Sequence, residues 1–176
     1  KDPIQNNTIA SENNYISNQF MINDGGTTVV KLNYHIGFTG TDPFNLDNPA
    51  DPSARALYYN VKDVPWAFLD GVRPDAAVAK PRFADWGTDA YNAQTLQLGQ
   101  VDIAEPNPSV NPDGSITFDV SLTALYDLPA NTVLHVAIIE QSIVSGLSVT
   151  QLAQVRTGET IFDYVLKKML PNASGT

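Results

Sequence analysis

The stretch from Thr28 to Gly71 constrains this chain more than any other. It opens on Thr28-Val29-Val30-Lys31-Leu32-Asn33-Tyr34-His35-Ile36-Gly37-Phe38, whose β-branched and aromatic residues predict one long strand. The near-continuous apolar start, Val29, Val30 and Leu32, reads as an interior strand covered on both faces. A Pro- and Asp-rich loop follows, Gly40 to Pro52, and then a short helical pattern over Ser53–Tyr59 that carries Arg55 and the Tyr58-Tyr59 pair. Val64-Pro65-Trp66-Ala67-Phe68-Leu69-Asp70-Gly71 reads as a second strand, entered through a proline and left through an Asp-Gly turn. Strand, helix and returning strand make a βαβ-like unit, right-handed if its strands are parallel.

On either side the patterns differ. Ile9, Ile16 and Phe20 recur at helical offsets between Ile9 and Met21, with Thr8 as N-cap and Asn23-Asp24-Gly25-Gly26 as the stop. Asp89 to Leu98 is a further helical stretch, and from Leu98 onward the signals are β. Asn111-Pro112-Asp113-Gly114 predicts a hairpin turn, after which Ile116, Phe118, Val120 and Leu122 alternate inward. Thr132 to Glu140 is the most strand-like run. Ile143 to Thr157 fits neither period well, and Thr160 to Leu170 fits a helix or a last strand. The expected fold class is therefore α+β, with an α/β domain over residues 1–95 and an antiparallel β-domain, sandwich-like, over 96–176.

Length and charge narrow the function classes. A chain of 176 residues with 43% apolar residues can bury a core. Its net charge of −9, with no cluster of Lys or Arg, argues against a nucleic-acid partner. No apolar run approaches the roughly 20 residues of a membrane helix, so no transmembrane segment is expected. The absence of cysteine removes disulfides, thiolate chemistry and cysteine metal sites from these residues. The start at Lys1, without Met or an apolar leader, reads as a piece of a longer chain.

Candidate chemistry is sparse. His35 and His135 are the only histidines, each within a strand pattern and without the helical spacing of a zinc site. Asp42, Asn45, Asp47 and Asp51 could offer oxygen ligands to calcium, although the spacing misses the usual calcium-loop signature. Glu140, ending an apolar strand, would have a raised pKa if buried. No nucleophile elbow, phosphate loop or paired carboxylates can be placed, so no catalytic residue and no cofactor is expected.

Taken in order, Tyr34-His35, Asp42-Pro43-Phe44, Arg55, Tyr58-Tyr59, Val61, Val64-Pro65 and Asp70-Gly71 resemble the "twenty-eight-kilodalton outer-membrane protein" family of Bacteroidetes. The same is true of Asn111–Gly114 with Ser115–Val120, Val136-Ala137-Ile138-Ile139-Glu140 and Tyr164-Val165-Leu166-Lys167-Lys168-Met169-Leu170-Pro171. The resemblance implies an incomplete thioredoxin-like domain followed by a β-domain. It also implies an extracellular, periplasmic or outer-membrane-surface location and a poorly defined role. In such folds Pro65 would be cis and Val64, Pro65 and Trp66 would border a peptide-binding surface, with Tyr34, His35 and Glu140 as further binding candidates. Many members carry Cys-x-x-Cys before the first helix; here that helix has none. The leading expectation is a non-catalytic binding module for an extended peptide or surface protein. The alternatives are a thiol-disulfide oxidoreductase with its cysteines upstream, and a calcium-stabilised adhesion module.

Overall fold

In a computed structural model of the chain, residues 16, 17, 19–21, 29–37, 42–62, 64–72, 87–144 and 159–176 are described. They form a mixed α+β fold of short helices and small antiparallel sheets: α1 (Pro43–Asp47), α2 (Ala50–Tyr58), α3 (Gly87–Thr95), β1 (Val101–Ile103), β2 (Ser109–Val110), β3 (Ile116–Thr117), β4 (Leu122–Ala124), β5 (Val136–Val144) and β6 (Ile161–Leu170). The chain divides into two compact units, Lys1–Gln94 with Leu134–Thr176, and Thr95–Val133. The boundary that the sequence places near residue 95 falls at the start of the second unit, whereas β5 and β6 belong with the first.

The first unit is built on β6. β5 pairs antiparallel with it from Val136↔Leu170 to Val144↔Ile161, and a register shift falls at Ile138/Ile139. On its other edge, Asn33 of the extended segment 29–37 bridges Val165 in parallel, through Asn33 N to Tyr164 O at 2.9 Å and Leu166 N to Asn33 O at 3.0 Å. The long first strand of the sequence reading is therefore one bridge among extended residues, and Val30, expected inside, is 81% exposed. Among the described residues no ladder joins this segment to 64–72, so the parallel neighbour comes from the far end of the chain.

Residues 161–170 settle as a strand, and their helix-like spacing has a physical cause. Phe162, Val165, Leu166 and Met169 are buried, the i, i+3, i+4, i+7 pattern of a helix. Tyr164 takes a left-handed φ of 55°, and the register shift leaves Lys167 without a ladder partner. Both interrupt the two-residue alternation of a regular strand. Phe44 from α1 and Phe162 pack at 4.8 Å between ring centroids, forming a core cluster with Val165 and with Ile143 against it.

α1 lies inside what the sequence presents as a loop. Asp42 caps it, its Oδ1 accepting from Phe44 N at 2.9 Å and Asn45 N at 3.2 Å, and Pro43 occupies the first turn. α2 starts at Ala50, earlier than the expected Ser53, because Pro52 is tolerated in a first turn. Its anchor is Asp51, 4% exposed, which accepts from Met169 N of β6 at 2.9 Å and Asn48 Nδ2 at 2.8 Å. Asn48 Nδ2 also donates to Lys167 O at 3.0 Å. The segment 64–72 ends in a tight turn in which Asp70 and Gly71 have φ of 48° and 73° and Leu69 and Val72 exchange both backbone hydrogen bonds. The Val64–Pro65 and Leu170–Pro171 bonds are cis.

Of the predicted N-terminal helix, residues 16, 17, 19 and 20 are helical, and the remainder up to Tyr15 lies outside the described residues. Phe20 meets Tyr91 of α3 edge-on at 5.1 Å. Residues 73–86 and 145–158 also lie outside the described residues.

The second unit holds two ladders, β1 with β4 and β2 with β3. The hairpin at Asn111–Gly114 forms where the sequence puts it, with Gly114 at φ 83° and Asp113 Oδ1 accepting from Ser115 N at 2.9 Å. Phe118 and Val120 are half-buried, but Ile116 and Leu122, expected inward with them, are exposed because the run breaks into two short strands.

Candidate functional site

Alternation along the extended segment 29–37 sends neighbouring side chains to opposite faces. His35 turns to α1: its Nδ1 lies 2.8 Å from Asp42 Oδ2, its ring meets Phe44 edge-on at 4.8 Å, and its carbonyl accepts from Asn45 Nδ2 at 2.9 Å. Burial works against the Asp42 carboxylate, but hydrogen bonding to His35 and the two helix N–H groups wins and lowers its pKa. This network fastens α1 in place. It separates His35 from Tyr34, its neighbour among the expected binding residues.

Tyr34 belongs to a different cluster, centred on Arg55 of α2. Burial raises the Tyr34 phenol, and the Arg55 charge pulls against that rise. Arg55 is 8% exposed. Its Nη2 donates to Tyr59 Oη at 2.8 Å, and its Nη1 lies 3.4 Å from His135 Nε2. The guanidinium carbon sits 4.8 Å from the ring centroids of both Tyr58 and Tyr59. Its Nε is buried and makes no hydrogen bond. Helical spacing predicts an ion pair with Asp51, four residues earlier, yet Asp51 is committed to Asn48, Met169 and, at 3.3 Å, Lys168. Among the described residues no carboxylate lies within ion-pair distance of Arg55.

An aromatic row leads away from this cation. Tyr59 stacks on Phe68 at 4.5 Å and 29°, and Phe68 leans on Trp66 at 6.4 Å. Trp66 is half-buried, as are Val64 and Pro65 before it. Gly71 completes the wall, since a Cβ there would stand 3.4 Å from Tyr59 Oη. His135, just before β5, is exposed, yet partial desolvation, then the Arg55 charge, lowers its pKa. Next to a cation its Nε2 acts as the acceptor, which places the proton on Nδ1.

The structure thus joins Tyr34 to the row from Trp66 and leaves Glu140 elsewhere. Glu140 is exposed on β5 with Lys167 Nζ 3.8 Å away, so the burial that would make it a candidate is absent. The four calcium candidates do not converge either. Asp42 caps α1, Asn45 holds the His35 carbonyl, Asp47 lies 3.7 Å from Lys167 Nζ and Asp51 anchors β6. Among the described residues no three His, Asp or Glu side chains form a metal-ligating group. The sequence gives no reason to pair His135 with Arg55, eighty positions away; a cation followed four residues later by a tyrosine on one helix face is the only local signal of this cluster.

Comparison with protein-family models, with curated proteins and with solved structures gave no match. Among the described residues no helix is long and apolar enough to cross a membrane.

Proposed function

We propose that this chain is a non-catalytic binding module that takes an extended peptide along the row Trp66–Phe68–Tyr59. The observation that carries this reading is the row itself: three adjacent aromatic rings, half-buried, ending at a buried guanidinium. Aromatic rings with a cation at one end suit apolar side chains followed by a polar anchor. The motif order that resembles the outer-membrane-protein family supports a thioredoxin-like first domain, a β-sandwich-like second domain and an exported, surface or periplasmic location. The cysteine-free sequence favours binding over thiol exchange within these residues.

Selection of displayed random peptides on the purified chain tests the reading. Enriched peptides should lose affinity tenfold or more with Phe68→Ala and with Trp66→Ala, both checked for folding by circular dichroism. Failure to enrich any peptide over a control protein, or binding indifferent to both substitutions, rejects it.

A further inference from the structure

We propose that Arg55 and His135 form a carboxylate-binding site at the end of the aromatic row, which anchors the peptide by a C-terminal or acidic side-chain carboxylate. The inference rests on the peptide-binding reading for its ligand, but not for the anion site itself. Its starting point is an imbalance of charge. An arginine that is more than nine-tenths buried is ordinarily matched by a carboxylate, because an unpaired buried charge is costly. Among the described residues Arg55 is matched by the phenols of Tyr59 and Tyr34, an imidazole and two ring faces, all neutral, and one of its N–H groups has no acceptor.

The geometry says where an anion would fit. Arg55 Nη1 and His135 Nε2 lie 3.4 Å apart, long for a hydrogen bond but suited to two donors sharing one oxygen. His135 is exposed, so an anion would come to Nη1 from the His135 side, whereas Nε is covered. Once an oxyanion is present the imidazole gains by protonation, and its role changes from acceptor to second donor. The aromatic rings of Tyr58 and Tyr59, each 4.8 Å from the guanidinium carbon, hold the guanidinium in place. A singly charged carboxylate suits this one permanent cation better than a phosphate dianion, which the net charge of −9 repels.

The first arm of the test needs no peptide. The His135 imidazole resonances are followed against pH in sodium acetate and in sodium chloride of equal ionic strength. Arg55 is the charged group acting on His135 among the described residues. Acetate should raise the His135 midpoint by about half a unit to one unit. The Arg55→Gln and Arg55→Lys variants should reduce or abolish the response; if Arg55→Gln does not fold, His135→Ala, at an exposed position, is read instead through acetate-induced shifts of the Tyr59 amide. No response of His135 to acetate, or an equal one to inorganic phosphate, overturns the carboxylate assignment.

The second arm compares one selected peptide as free acid, as C-terminal amide, and as amide with an added internal Glu. Tenfold or greater weakening of the amide, lost in the Arg55→Gln chain, supports a terminal carboxylate; restoration by Glu supports a side-chain source. Equal binding of all three with no acetate response overturns the site and leaves the peptide reading standing. An acetate response without peptide binding does the reverse.

Discussion

Asp51 and Arg55, one helical turn apart on α2, have opposite fates. Asp51 is buried and engaged by Met169 N, Asn48 and Lys168, while Arg55 is buried and meets no carboxylate among the described residues. Burial disfavours the ionised Asp51, but the Met169 N–H, Asn48 and Lys168 outweigh it and lower its pKa, as the corresponding set does for Asp42. A carboxylate with a depressed folded-state pKa adds stability that is fully present above its unfolded value, about 3.9, and is lost as pH falls through the folded value. Urea midpoints measured from pH 6 downward should therefore fall below about pH 4, and Asp51→Asn should flatten that fall. At neutral pH Asp51→Ala should cost about 1–3 kcal/mol, because the Met169 N–H loses its acceptor. A neutral-pH midpoint unchanged by Asp51→Ala would show that water replaces the carboxylate.

At the scale of elements, the Asp70-Gly71 turn is placed by its own residues. Both positions have positive φ, and Gly71 also faces Tyr59. Gly71→Ala should cost about 1–2 kcal/mol, the penalty for a side chain in the left-handed region. Gly99→Ala, where a new Cβ meets nothing within 4 Å, is the matched control and should change stability little. Equal denaturation midpoints for the two variants would dismiss the turn as a constraint. β6 is the counter-example. Its spacing fits a helix until Tyr164 and Lys167 are seen to interrupt the strand. Met169, 1% exposed on β6, should lose about 2–5 kcal/mol as Met169→Ala in chemical denaturation, as expected of a side chain with no room to relax.

For the molecule as a whole, the unit Thr95–Val133 differs in having no interior of its own. None of its residues is buried, and Ile103, Val110, Ile116 and Leu125 are exposed. Two isolated two-stranded ladders are marginal in water, so a peptide spanning 95–133 should give the circular dichroism of an unfolded chain with no cooperative thermal transition. A cooperative transition in that peptide would mean that packing among these residues suffices without the rest of the chain. The purified 176-residue chain should also show no insulin-reducing activity, since thiol exchange needs an attacking thiolate.

What the sequence determined by itself is local and short-range. Asn111–Gly114 and Asp70-Gly71 specify their turns because only a few residues tolerate the required φ, and the helical pattern ending at Tyr59 survives as α2 with a shifted start. Asp42-Pro43 was an equally local signal for α1, obscured by the many turn-forming residues around it. The α+β class follows from the change of period along the chain. The tertiary structure alone decided which strand lies beside Asn33, which carboxylates are already engaged, and that His135 stands against Arg55. The Asn33–Val165, Asp51–Met169 and Arg55–His135 pairings each join residues at least 80 positions apart. Periodicity reports which face of an element is apolar, but it carries no information about which distant element covers that face or which charge it leaves unmatched.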